Sequence, residues 1–155
     1  MVIKAIRMKN KKEIKSWSNK SVIASIDDIL ENVIRTEEIL STVVYFFTDL
    51  YNIENEFKKR MKYAFISKLF VFLSFQRSKS HMHNVYRWLE ILLNKELIKD
   101  VTLKEEVAKI EKGLETVESN YNQEKYVGII KELKSIDSEC IRLKEDVKQL
   151  RNNLS

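Results

Sequence analysis

Apolar residues recur along most of this chain at alternating spacings of three and four, which is the pattern of an amphipathic helix. The pattern predicts a first helix over about 21–51, a second over about 56–76 and a third over about 82–97. Two further helices follow, with apolar positions that begin at Leu103 and at Tyr126. Proline is absent and glycine occurs twice, so the frequent turn residues of a sheet protein are missing. We therefore expect an all-α protein, an up-and-down bundle of about five helices.

The most apolar stretch of the chain runs from Tyr63 to Phe75, and 12 of the 15 aromatic residues lie between Tyr45 and Trp88. Aromatic side chains dominate the cores of proteins, so we expect the packed interior to centre on this stretch. The helical spacing of Leu69 and Leu73, extended forward, meets the polar run from Arg77 to Asn84. Buried polar groups need partners, so we expect the helix to break or kink there.

The C-terminal part of the chain keeps heptad spacing in two blocks, Leu103–Tyr121 and Tyr126–Leu154. The register fails between them, which predicts a tight reversal and a C-terminal antiparallel coiled-coil hairpin. The second block outlasts the first, so its apolar stripe needs another surface, supplied either by the bundle or by a second copy of the chain. The predicted interface residues are Ile136, Cys140, Leu143, Val147, Leu150 and Leu154.

With 155 residues, the chain has the length of one domain. Within it we distinguish a basic N-terminal segment (1–20), an aromatic-rich helical core (21–98) and the C-terminal hairpin (99–155). The single cysteine, Cys140, excludes an internal disulfide and is typical of a reducing compartment. No signal-peptide pattern is found at the N-terminus, so we expect a cytoplasmic location.

Membrane, metal and cofactor functions find little support in the sequence. The apolar run over 63–75 falls short of the ~20 residues that cross a bilayer, so no membrane span is expected. Two histidines and one cysteine are too few for a structural zinc site. None of the phosphate-binding or metal-binding motifs that we sought is found, so we expect no metal and no cofactor.

The formal net charge of +5 is unevenly distributed. Residues 1–20 and 58–100 are basic, with net charges of +6 and +7, whereas 21–57 carries −7 and 101–155 carries −1. Either the acidic and basic segments pair with each other, or the basic middle segment contacts a polyanion such as an RNA or DNA backbone. An acidic protein partner fits the charges equally well. The candidate nucleic-acid-binding residues are Lys58, Lys59, Arg60, Lys62, Arg77, Lys79 and Arg87.

Arg77 and His83 have five residues between them. This spacing resembles the Arg-x4–6-His motif of the HEPN families, small all-α proteins that often cleave RNA as dimers. The resemblance implies that His83 would act in acid–base chemistry on a ribose 2′-hydroxyl and that Arg77 would hold the phosphate. These are chemically suitable residues, since histidine titrates near neutrality and arginine binds phosphate in a fork.

Three functions therefore remain open. The favoured one is a non-enzymatic helical assembly or interaction protein whose basic middle segment contacts a nucleic-acid backbone. The second is a HEPN-like endoribonuclease that uses Arg77 and His83. The third is a coiled-coil adaptor that binds only protein. The hairpin seam favours a homo-oligomer or a helical protein partner in the first and third cases.

Overall fold

The computed structural model describes residues 18–52, 57–123, 125 and 128–154. For 49–52 and 57–67 it describes the backbone alone. All the regular structure in these ranges is helical, and they contain no strand. The all-α prediction is confirmed. The four helices are α1 (Asn19–Asn52), α2 (Phe57–Asn94), α3 (Thr102–Asn122) and α4 (Ile129–Leu154).

The helix count differs from the expected five because α2 runs without interruption through Arg77–Asn84. The predicted break is wrong, because the face of α2 that turns toward the core is not the expected one. The stripe that ends in Leu69 and Leu73 points outward, since both side chains are about half exposed. The polar run that follows it on the same stripe therefore meets water, and no break is needed.

The inward face of α2 is a different set of residues, spaced strictly four and three apart. All of them are buried, and the only polar member is Ser78. The prediction that the interior centres on Tyr63–Phe75 is therefore wrong for part of that stretch, where Leu69, Phe72 and Leu73 are exposed. The buried residues of this face are Val71, Phe75, Ser78, Met82, Val85, Leu89 and Leu92.

The apolar stripes of the other helices are buried as their spacing predicted. On α1 the buried stripe runs from Ile26 to Phe47 and includes one polar residue, Thr36. The Thr36 hydroxyl donates to the backbone oxygen of Asn32 at 2.9 Å, so its burial leaves no unpaired donor. The stripes of α3 and α4 are buried from Leu103 to Val117 and from Ile129 to Val147.

The four helices form a closed ring of neighbours. α1 packs against α2 and α4, and α3 packs against the same two helices. Across the ring, the side chains of Phe47 on α1 and Tyr121 on α3 meet edge to face, with ring centroids 5.7 Å apart. The core therefore lies along the axis of the ring, between the four inward faces. No helix of the described residues has the length and apolarity needed to cross a membrane.

Of the two glycines, Gly113 and Gly128, only the first lets α3 and α4 approach each other closely. A Cβ atom on Gly113 would lie 2.9 Å from Cγ1 of Ile136, which is closer than two carbon atoms can pack. Gly128 has no atom within 4 Å of its missing Cβ, and its role is conformational, with a φ of +85° just before α4. Glycine is favoured at that backbone angle because it has no side chain to clash.

The corrected register of α2 predicts opposite effects for two leucines on one helix. Leu89 is fully buried and Leu73 is half exposed. We expect Leu89→Ala to lower the free energy of unfolding by ~2–5 kcal/mol, through lost burial and a cavity, and Leu73→Ala to change it by less than ~1 kcal/mol. Urea unfolding of both variants measures this difference, and equal losses would contradict the register.

A carboxyl pair lies between α3 and α4. The side chains of Glu106 and Asp146 share a hydrogen bond, and burial together with this bond raises the pKa of Glu106 from 4.5 to about 7. Oε2 of Glu106 is enclosed. A proton is needed for two carboxyl groups to share a hydrogen bond, so the contact between the helices weakens when this proton is lost.

The pair predicts a pH-dependent stability with a defined sign. Because the pKa of Glu106 is higher in the folded state, the fold gains stability below 4.5 and loses that gain as the pH rises through about 7. We expect Glu106→Gln, which mimics the protonated acid, to be more stable than the wild type at about pH 8 by ~1 kcal/mol after solvent screening. At about pH 4.5 this advantage should vanish. Thermal unfolding at both pH values, with Glu115→Gln as the control, makes the comparison.

Candidate nucleic-acid interface

The exposed surface of α2 carries part of the basic middle segment. No aspartate or glutamate occurs between Phe57 and Leu89, so this length of α2 contains cations and no anion. Of the cations with described side chains, Lys68, Arg77 and Arg87 are exposed and Lys79 is half-buried. At a rise of 1.5 Å and a turn of ~100° per residue, the three exposed cations span roughly 28 Å of the helix, with Lys68 and Arg77 on opposite sides of it and Arg87 between them. We call Lys68, Arg77 and Arg87 the cationic strip.

Four of the predicted nucleic-acid-binding residues lie outside the described side chains. Their backbone belongs to the first turns of α2, and their prediction remains untested. They are Lys58, Lys59, Arg60 and Lys62.

Ion pairs distinguish Lys79 from the cationic strip. Nζ of Lys79 donates to Oε1 of Glu118 on α3 at 2.8 Å, so this lysine links two helices. In contrast, none of the three cations of the strip has an ion-pair partner among the described residues. They therefore offer uncompensated positive charge to an anion.

The acidic residues of α1 do not neutralise α2. Glu37 accepts from Nζ of Lys144 at 2.9 Å, and Asp27 accepts from Nε of Arg151 at 2.5 Å, so both pair with α4. Glu31 pairs within α1, with Arg35. The described residues thus hold no ion pair between α1 and α2, although these helices pack against each other. This finding weighs against mutual pairing of the acidic and basic segments.

The two histidines face different neighbours. Nδ1 of His81 lies 2.9 Å from Oδ1 of Asn32 on α1, and Nδ2 of Asn32 donates to the backbone oxygen of Asp28 at 2.8 Å. That second bond orients the amide, so Nδ1 of His81 is the donor. Burial and the charges of Arg35 and Arg77 lower the pKa of His81 below 6.5. His83 is exposed and lies near Glu111, which faces it from α3.

The structure does not bring Arg77 and His83 together within one chain. Six positions apart on a continuous helix, they point about 120° apart and are separated by about 9 Å along the axis. The histidine beside Arg77 is His81, one helical turn further along α2. Within the single chain the two side chains therefore point apart, and the HEPN-like endoribonuclease stays a prediction.

The predicted C-terminal interface is used inside the chain. Ile136, Cys140, Leu143 and Val147 are buried, and Leu150 and Leu154 are half-buried. Since α4 packs against α1 and α3, these helices cover the buried part of this stripe, and an association of two chains through it stays a prediction. Burial raises the pKa of the Cys140 thiol to about 12, so this cysteine is not a nucleophile at neutral pH.

Two features of the surface were not found by sequence reasoning. One is the apolar patch of Leu69, Phe72 and Leu73 beside the cationic strip. The other is a cavity between α2 and α3, lined by Lys68 and Phe72 among others. The four–three spacing, extended backward from Met82 through Ser78, turns Leu69 and Phe72 away from the core. This extension would have pointed to both features.

Comparison with known proteins adds no functional assignment. No family model matches the chain, and neither curated proteins nor solved structures show a significant similarity to it. In the described ranges, no group of three or more histidine, cysteine, aspartate or glutamate residues is arranged to hold a metal ion. The function has to be inferred from the surface itself.

The contact between His81 and Asn32 predicts a loss of stability in acid. Because the pKa of His81 is lower in the folded state than the ordinary 6.5, the unfolded chain takes up the proton first, and stability falls as the pH drops below 6.5. We expect His81→Gln to remove this part of the pH dependence. Urea unfolding between about pH 7.5 and 5.5 tests it. The exposed His83 supplies the matched control, His83→Gln, and an unchanged slope in His81→Gln would contradict the prediction.

Proposed function

We propose that this chain is a non-enzymatic helical protein that binds single-stranded nucleic acid around the exposed surface of α2. The observation that carries the proposal is the absence of ion-pair partners for Lys68, Arg77 and Arg87 among the described residues, while the acids of neighbouring α1 pair elsewhere. Phosphates are bound by such cations without regard to sequence.

An exposed aromatic residue beside Lys68 favours single strands. Phe72 is 55% exposed and lies one turn from Lys68 along α2. Unstacked bases bind on aromatic rings while cations hold the backbone, and this combination is not accessible to the stacked bases of a duplex.

We further propose that α3 and α4 form an antiparallel coiled-coil hairpin that holds α2 in place. Three contacts support this: Glu106 with Asp146, Gly113 with Ile136, and Asn120 with Glu132 at 3.3 Å. From the first of these contacts to the last, the residue numbers rise on α3 and fall on α4, as expected for antiparallel helices. The ion pair of Glu118 with Lys79 then fastens α3 to α2.

Neutralising two cations of the strip should weaken binding and reduce its dependence on salt. We expect the double variant Arg77→Gln/Arg87→Gln to lower the slope of log K against log salt by about 1.4, since each phosphate contact on a single strand contributes about 0.7. Fluorescence anisotropy of a labelled RNA at ~50 and ~200 mM salt measures the change. A DNA strand of the same sequence is titrated in parallel.

The control is Lys131→Gln/Lys134→Gln, which removes the same charge from exposed positions on α4. Equal weakening by both double variants would show that only net charge matters and would overturn the proposed surface. The bound RNA is then run on a gel. If the wild type shortens the RNA and His83→Ala leaves it at full length, the endoribonuclease hypothesis replaces the proposal. RNA that stays intact with the wild type supports a binding protein.

A further inference from the structure

A cavity of about 270 Å³ opens between α2 and the end of α3. Its walls are apolar and largely aromatic, formed by Phe72, Phe75 and Tyr121. Its polar lining consists of Lys68, Glu118 and Asn122. Pockets for drug-sized ligands measure ~300–1,000 Å³, so this cavity has room for a single flat ring system and little more.

Glu118 provides the polar specificity of the cavity. Its Oε1 accepts from Lys79 at 2.8 Å, whereas Oε2 is enclosed and has no hydrogen-bond partner among the described residues. A buried acceptor without a donor is unfavourable and asks for an explanation. The terminal torsion of a glutamate is soft, so a small turn of the carboxylate presents an acceptor to the cavity while the bond to Lys79 is kept.

The charges around the cavity select the class of ligand. Lys79 already balances Glu118, and Lys68 adds a positive charge, so a cationic ligand would be repelled. A neutral ring with N–H donors suits the carboxylate, and an anionic group attached to it suits Lys68. A nucleotide combines these properties, with its base stacked on the exposed ring of Phe72.

Among the bases, guanine matches the polar groups best. Its Watson–Crick edge carries adjacent N1–H and N2–H donors, which a carboxylate accepts, followed by the O6 acceptor, which the amide of Asn122 can reach as a donor. Adenine would instead turn its N1 acceptor toward Glu118, which is repulsive. The discrimination expected from such contacts is about tenfold or more.

We infer that this cavity binds guanine, with Glu118 on its Watson–Crick edge, Phe72 against its face and Lys68 on its phosphate. The guanine belongs either to a free nucleotide or to a strand bound along α2, and in the second case the inference rests on the proposed function. Lys68 belongs to both the cationic strip and the cavity, so a strand on α2 passes the opening.

The experiment measures binding of 5′-GMP and 5′-AMP to the full chain by isothermal titration calorimetry. We expect GMP to bind about tenfold or more tightly than AMP, and Glu118→Gln and Phe72→Ala to abolish that preference. The matched controls are Glu115→Gln, an exposed glutamate on α3, and Tyr45→Ala, an exposed aromatic residue on α1. Phe72 is exposed, so its removal spares the core, and thermal unfolding confirms that each variant folds.

A second arm compares a uridine oligonucleotide containing one guanine with the same oligonucleotide containing one adenine. Preference for the guanine strand without binding of free GMP assigns the cavity to strand recognition. GMP binding without any RNA binding assigns it to a free nucleotide and rejects the proposed function. RNA binding with no preference for guanine in either arm overturns the cavity inference and leaves the cationic strip intact. Absence of both GMP and RNA binding rejects both proposals.

Discussion

The burial of one seven-residue seam on α2 determines the rest of this structure. From Val71 to Leu92 the seam keeps spacings of four and three without a fault, and its apolar surface is worth on the order of 25 cal/mol per Å² removed from water. Once this face turns inward, the opposite face turns outward together with everything it carries. The exposed phenylalanine, the cationic strip and the polar run are therefore consequences of the register, not independent surface features.

The polar residues inside the bundle are tolerated because most of them form hydrogen bonds with the helix backbone or with neighbouring side chains. Thr36 and Ser74 donate to carbonyl oxygens four residues earlier in their own helices. Asn32 uses its amide both within α1 and toward His81 on α2. Ser78 is the exception, since its hydroxyl is buried without a partner in the described residues.

Sequence patterns predicted the helices of this chain well where the apolar stripe was unique, and less well where two stripes competed. α1, α3 and α4 each have one stripe, and its burial was foreseen from Ile26, Leu103 and Ile129 onward. α2 has two, the buried seam from Val71 to Leu92 and the exposed stripe of Leu69 and Leu73. Total hydrophobicity favoured that stripe, but the core is selected by continuity along the whole helix. The polar run beyond Leu73 was the signal against it.

The charged residues of the candidate surface could be predicted from the sequence, but their ion-pair partners could not. The sequence shows an acidic segment before a basic one, and proximity along the chain suggests that they neutralise each other. In the bundle, Glu37 and Asp27 lie beside α4 instead, where they pair with Lys144 and Arg151. Ion pairs depend on which helix faces which, and closure of the ring by α4 is a tertiary property that charge counts along a sequence do not contain. Because α4 takes these acids, α2 retains an excess of positive charge on its outward side, and a polyanion is the chemical class that such a surface attracts.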